Sequence, residues 1–80
     1  MAIIRGSLYV GASGVSFVPE ERFNQAEHLP WQVLKDRVLL EKFLEDFKPV
    51  AKNTVKSVGT YYLEAELLSL EDWFSRKTSR

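Results

Sequence analysis

The sequence contains no cysteine and only one histidine among its 80 residues. The absence of cysteine excludes a disulfide framework, a thiolate nucleophile and a metal site built on sulfur. It also suits a reducing compartment, and we expect a cytoplasmic protein. A metal site at His28 would need Asp and Glu for all its other ligands, and the spacing of these residues indicates no such cluster. We therefore expect neither a metal nor a cofactor.

The chain also has no net charge and no long apolar run. Eleven basic side chains balance eleven acidic ones, so no overall field attracts nucleic acid or a membrane surface. A membrane span needs ~20 consecutive apolar residues, which this sequence nowhere approaches. Arg5 and Gly6 interrupt the N-terminal apolar stretch where a signal peptide would need continuity. We expect no membrane partner.

Apolar and aromatic residues, in contrast, are abundant. Hydrophobic residues make up 45% of the chain, including two tryptophans, three tyrosines and five phenylalanines. A chain of this length forms a single domain, residues 1–80, and buries only about 60–65% of its unfolded surface. The surplus of apolar material predicts that part of it is shared with another protein or with a second copy in a homodimer.

Residues 30–48 form the longest periodic segment and predict the main helix. Pro30 suits a first helical position, and Pro49 ends the helix. At about 100° per residue, one apolar arc forms the core-facing side. That arc contains Val33, Leu40, Phe43, Leu44 and Phe47.

A second apolar stripe follows the first half of the same helix. It consists of Trp31, Leu34 and Val38, which are spaced three and four residues apart. Two interpretations are open, because another part of this chain can cover the stripe or a partner protein can bind it. Tryptophan is a favoured anchor at interfaces, which makes a surface centred on Trp31 the sharper hypothesis.

The remaining segments predict a small antiparallel sheet and a second helix. Residues 2–10 and 15–18 are rich in β-forming residues and flank a glycine-containing turn, which predicts an N-terminal β-hairpin. Apolar and polar residues alternate near 60–68, as in a half-buried strand. Ser69 and the acidic residues after it predict a short C-terminal helix over 70–77.

Two further elements are weaker predictions: a short helix within 19–29 and an edge strand near 53–58. The fold class is therefore α+β. It consists of the N-terminal hairpin and the strand near 60–68, packed against the helix 30–48, with the short helix 70–77 at the end.

The sequence offers little equipment for catalysis. Glu64 and Glu66 share one side of their strand, roughly 6.5–7 Å apart, a separation that acid–base catalysis permits. Glutamates beside an exposed tyrosine are nevertheless ordinary on the solvent side of a sheet. Gly11 and Gly14 join two strands with no basic residue between them, which indicates a hairpin turn rather than a phosphate-binding loop. We expect no enzyme and no catalytic residue.

Two binding functions are left. The first is a small protein–protein interaction module, that is, an adaptor, regulator or stoichiometric inhibitor, of the kind that a bacterium or a phage encodes. Its predicted contact residues are Trp31, Leu34 and Val38, then Trp73 and Phe74, with Glu64 and Glu66 at the rim. The alternative is a nucleic-acid-binding regulator that uses Lys48, Lys52, Lys56, Tyr61 and Tyr62. Global neutrality makes nucleic acid the weaker of the two expectations.

Overall fold

A computed structural model describes residues 2–20, 26, 28–55 and 58–78. Four strands, two α-helices and one 3₁₀ helix make up the described part of the chain. In chain order they are β1 (Ile3–Gly11), β2 (Gly14–Pro19), the 3₁₀ helix (Trp31–Lys35), α1 (Arg37–Phe47), β3 (Val50–Val55), β4 (Val58–Glu66) and α2 (Leu67–Thr78). The predicted α+β class is confirmed.

The strands form one antiparallel sheet in the order β2-β1-β4-β3. Each hairpin pairs an outer strand with a long central one, and β1 and β4, nine residues each, form the middle of the sheet. The turn after β1 places Gly11 opposite Gly14, as the two-residue loop predicts. The expected edge strand near 53–58 is β3, which begins and ends three residues earlier.

The 3₁₀ helix, α1 and α2 pack on one face of the sheet. Alternation along β1 directs Ile4, Leu8 and Val10 toward these helices, where all three are buried. The core is completed mainly by aromatic and branched side chains. They include Phe17 from β2, Tyr61 and Leu63 from β4, Leu40 and Phe43 from α1, and Leu70, Trp73 and Phe74 from α2.

Gly6 on β1 faces this core where the backbone and a ring come close. A Cβ atom on Gly6 would lie 2.8 Å from both Phe17 Cζ and Pro19 Cα, closer than real side chains allow. The lack of a side chain therefore lets the end of β2 and the Phe17 ring close over β1. A glycine in the interior of a strand often marks such a close approach of two backbone segments.

The predicted continuous helix over 30–48 is wrong in one respect, because the chain breaks at Asp36. This residue has extended backbone angles, φ −66° and ψ 118°, and separates the 3₁₀ helix from α1. Its carboxylate accepts hydrogen bonds from the N–H groups of Val38 and Leu39, at 2.9 and 3.3 Å, and so caps α1. The break removes the single helical phase on which the second apolar stripe depended.

The helix predicted within 19–29 falls mostly outside the described residues. Of that segment, Pro19 ends β2 and Ala26 is a buried turn residue. The C-terminal helix is confirmed, although it begins at Leu67 rather than after Ser69.

Candidate functional site

None of the helices in the described part of the chain packs on the second face of the sheet, and we call this surface the open face. It is formed by the side chains that alternate with the buried ones along all four strands. Its members include Ile3, Arg5, Ser7 and Tyr9 from β1, Val18 from β2, Val50, Lys52 and Val55 from β3, and Val58, Thr60, Tyr62, Glu64 and Glu66 from β4.

Exposed apolar side chains are concentrated on the open face. The structure exposes eight large hydrophobic residues within its described part, and six of them lie here. These six, 39–70% exposed, are Ile3, Tyr9, Val18, Val50, Val55 and Val58. The other two, Val38 and Leu68, lie on α1 and α2. An apolar surface of this kind, interspersed with polar groups, is typical of a contact site for another macromolecule.

Charged and hydroxyl groups occupy the middle of the same face. Arg5 Nε donates to Glu64 Oε2 at 2.6 Å, across neighbouring strands. The Tyr62 hydroxyl donates to Glu20 Oε2 at 3.1 Å, and Lys52 Nζ lies 5.6 Å from the centre of the Tyr62 ring. Because these groups are exposed to solvent, each pair adds little to stability, and their arrangement matters more for what the face can recognise.

The surroundings of Tyr62 change its acidity. Partial burial raises the pKa of the Tyr62 hydroxyl above its usual value of 10.0, and the hydrogen bond to Glu20 raises it further. The negative charges of Glu20 and Glu64 act in the same direction, while Arg5 opposes them. Tyr62 is therefore a neutral hydrogen-bond donor throughout the physiological pH range.

A shallow depression of 360 Å³ lies beside Tyr62. Ser7 lies at its centre because this small side chain stands between larger ones, with Val18 on one side and Tyr62 on the other. Pro19, Glu20 and Lys52 complete its rim. The depression has an apolar wall, an aromatic wall and one charge of each sign, so it can accept a ring or a long side chain.

Most of the predicted contact residues lie elsewhere. Trp31, Leu34, Trp73 and Phe74 are 0–7% exposed and belong to the core, which corrects the prediction that they form a contact surface. Of the two interpretations of the Trp31 stripe, coverage by this chain agrees with the structure. Val38 is 61% exposed, but the break at Asp36 separates it from the other two.

The acidic residues predicted for a protein contact and the residues predicted for nucleic acid do not all lie on one face of the sheet. Glu64 and Glu66 lie on the open face, as does the neighbouring pair of Lys52 and Tyr62. Tyr61 is buried on the opposite face. Lys48 lies at the end of α1, and Lys56 falls outside the described residues. The five residues predicted for nucleic acid therefore do not form one surface among those described.

None of the six exposed apolar residues on the open face was predicted as a contact residue: they are Ile3, Tyr9, Val18, Val50, Val55 and Val58. The sequence does contain a signal for Tyr9, because it alternates with Leu8 and Val10 along β1. Alternation separates the two sides of a strand but does not identify the side that lacks a covering layer.

Other chemistry is sparse in the described part of the chain. It brings together no group of three His, Asp or Glu side chains that could hold a metal ion. His28 Nε2 lies 3.7 Å from Glu71 Oε2 on α2, with both side chains substantially exposed. This is the environment of a surface histidine rather than of a catalytic base.

No family model matches this chain, and comparisons with curated proteins and with solved structures also found no match. Within the described ranges, none of the helices has the length and apolar character needed to cross a bilayer.

Proposed function

We propose that this chain is a non-enzymatic protein–protein interaction module, an adaptor, regulator or stoichiometric inhibitor, that binds through the open face. One observation carries the proposal: among the described residues, six of eight exposed large hydrophobic side chains lie on the sheet face that the described helices leave uncovered. Burial of such side chains drives most protein association. A chain without cysteine suits the cytoplasm, where we expect it to act.

The sheet edges are poorer contact sites than the open face. At the β2 edge, the Gln32 side chain accepts from the Val15 N–H and donates to the Val15 carbonyl, occupying the groups that an added strand would need. Pro19 contributes no N–H to that edge. At the β3 edge, the register shifts between Ala51 and Asn53. The backbone N–H and C=O groups along this edge are therefore unevenly spaced for pairing with an added strand. Both arrangements favour docking on the face over addition of a strand.

The charges of the open face favour protein over nucleic acid. Its carboxylates, from Glu20, Glu64 and Glu66, outnumber its cations, Arg5 and Lys52. A phosphate backbone would be repelled by the former and would gain little from counterion release. The contact between Lys52 and Tyr62 is the one observation that favours nucleic acid, and the prediction of nucleic-acid binding stays as a second candidate.

Matched surface variants test the proposal. Val18→Glu and Val58→Glu place a charge on the open face, and Leu68→Glu places one at an exposed position on α2. Proteins captured from nuclease-treated extract by wild-type protein and by Leu68→Glu should be lost with both open-face variants. With a purified partner, we expect affinity to fall at least about tenfold, or ~1.4 kcal/mol. Circular dichroism confirms that all variants are folded.

Two results would contradict the proposal. One is equal capture by the open-face variants and Leu68→Glu, and the other is retention on RNA or DNA that Lys52→Glu abolishes while protein capture is absent. The second result would indicate that the protein binds nucleic acid instead of another protein.

A further inference from the structure

We propose that the protein bound to the open face is a second copy of this chain. The two copies pack sheet against sheet about a two-fold axis that runs along the strands, between β1 and β4. This inference rests on the proposed function and names its partner. The reason is that three central rows of the open face, Arg5–Glu64, Ser7–Tyr62 and Tyr9–Thr60, are complementary to themselves under this symmetry.

The symmetry follows from the strand order. In the order β2-β1-β4-β3, a two-fold axis between the two central strands lays β1 of one copy over β4 of the other, and β2 over β3. Within one chain, each residue of β1 has a cross-strand neighbour on β4. In the dimer, the same β1 residue faces that β4 residue of the other copy. The observed register within one chain therefore gives the contacts between two chains.

The central rows match in size. Ser7 is the cross-strand neighbour of Tyr62, and Tyr9 is the neighbour of Thr60. Across the dimer, Tyr62 faces the partner's Ser7. Tyr9 likewise faces the partner's Thr60. Large side chains meet small ones at both levels, which is what close packing of two sheets requires.

The charged row matches in sign. Arg5 and Glu64 are cross-strand neighbours joined by a 2.6 Å ion pair within one chain. Under the same symmetry, Arg5 faces the partner's Glu64, and Glu64 faces the partner's Arg5. Two ion pairs become a four-membered network of alternating charge, in which no like charges need to meet.

The outer strands continue the pattern. Val18 pairs with Ser7, and Val50 pairs with Tyr62, so these two exposed valines lie in the same row at opposite edges of the sheet. The axis places Val18 over the partner's Val50.

The area agrees with a weak but specific dimer. Four strands at ~4.8 Å spacing and about 25 Å in length present about 500 Å² per copy, or about 1,000 Å² in total. This value is at the lower limit for specific interfaces, so we expect a dissociation constant in the micromolar range. The resulting dimer has four layers, with both sheets inside and the helices of each copy outside.

Variants that reverse the charge at position 5 or at position 64 provide the test, and sedimentation velocity measures their oligomeric state. Wild-type protein should dimerise. Arg5→Glu should be monomeric because the introduced carboxylate would face the partner's Glu64, and Glu64→Arg should be monomeric because two arginines would meet. An equimolar mixture of the two variants should form a heterodimer, since every facing pair is then of opposite sign. The double variant should dimerise as wild type does.

The mixture separates contacts between chains from effects within a chain. Each single variant has like charges at positions 5 and 64 of its own sheet, and mixing leaves that unchanged. Recovery on mixing therefore requires these positions to face each other across an interface. We expect the single variants to dimerise at least about tenfold more weakly than the wild type, and circular dichroism identifies any that is unfolded.

The inference is overturned if the wild type stays monomeric at millimolar concentration, or if it dimerises and both single variants dimerise equally well. In either case, loss of other captured proteins by Val18→Glu and Val58→Glu would preserve the proposed function with a different partner. Failure of both experiments would reject the open face as a contact surface altogether.

Discussion

Trp31 shows how one residue joins the sheet to the helices. Its indole stacks on Phe17 of β2 with ring centres 4.8 Å apart, and its edge contacts Phe43 and Phe74. The indole N–H donates to the carbonyl of Ala26 at 2.7 Å, so burial leaves no unpaired donor. Trp31 thus closes the end of the core where the sheet, α1 and α2 meet.

Replacement of Trp31 should therefore reduce stability rather than binding alone. Trp31→Ala removes a ring that contacts three other rings, and we expect the free energy of unfolding to fall by about 3–5 kcal/mol. Val38→Ala, at an exposed position, should stay within about 0.5 kcal/mol of wild type. Urea denaturation measures both, and Trp31→Phe should show an intermediate loss. A cost below about 1 kcal/mol for Trp31→Ala would contradict this placement.

The acidity of Tyr62 tests its contact with Glu20. Glu20→Gln removes a charge and a strong acceptor, so the pKa of Tyr62 should move down toward 10.0 but stay above it, because partial burial persists. Absorbance of tyrosinate during an alkaline titration measures the change, and Tyr62→Phe identifies the transition. An unchanged pKa in Glu20→Gln would show that the two side chains do not interact.

The direction of this shift also fixes its effect on stability. Since the pKa of Tyr62 is higher in the folded state than in the unfolded state, the stabilisation is complete below pH 10. It is lost as the pH rises through the pKa of the folded state. In Glu20→Gln the pKa of Tyr62 in the folded state is closer to 10.0, so the pH range over which this stabilisation is lost should be narrower.

The start of α1 depends on Asp36. Asp36→Ala leaves the N–H groups of Val38 and Leu39 without their side-chain acceptor, and we expect a loss of about 0.5–2 kcal/mol in unfolding free energy. Asp36→Asn keeps an acceptor oxygen and should retain most of the stability. Thermal unfolding compares the three proteins. Equal losses in Ala and Asn variants would indicate a role for the negative charge instead of the cap.

The helical segment also shows what a sequence can and cannot predict. The spacing of Trp31, Leu34 and Val38 fits a continuous helix, but the same spacing arises when a 3₁₀ turn and an α-helix follow each other. Asp36, immediately before an apolar run, is a recognisable N-cap signal for a second helix start. Helical propensity and the spacing of apolar residues predict that this segment is helical. They do not predict the interruption, because it depends on Asp36 capping a new helix instead of continuing the first one.

The candidate site was harder to predict than the fold. The sequence predicts more apolar residues than one core needs, and the exposed ones include the strand residues Val18, Val50, Val55 and Val58 but neither tryptophan. The large rings fill the space between helices and sheet, because they bury the most area there. Which sheet face is left uncovered depends on where the helices pack, and single-strand alternation does not contain that information.

If two copies associate through the open face, the stability of the protein depends on its concentration. Burial of the open face stabilises the folded chain by mass action, so the midpoint of thermal unfolding should rise as wild-type concentration increases. Arg5→Glu, measured over the same range, should show a constant midpoint. Differential scanning calorimetry provides both series. A wild-type midpoint independent of concentration would contradict self-association.

The two tryptophans both lie on the helix side of the sheet, where Trp73 also donates its indole N–H to Asp46 at 2.6 Å. Among the described residues of the open face, the aromatic side chains are the tyrosines Tyr9 and Tyr62. Intrinsic fluorescence is thereby divided between two reporters. Indole emission follows the melting of the core and should not respond when a partner docks. Because tyrosine emission also includes the buried Tyr61, an environment-sensitive dye attached beside Ser7 is the optical signal that follows docking.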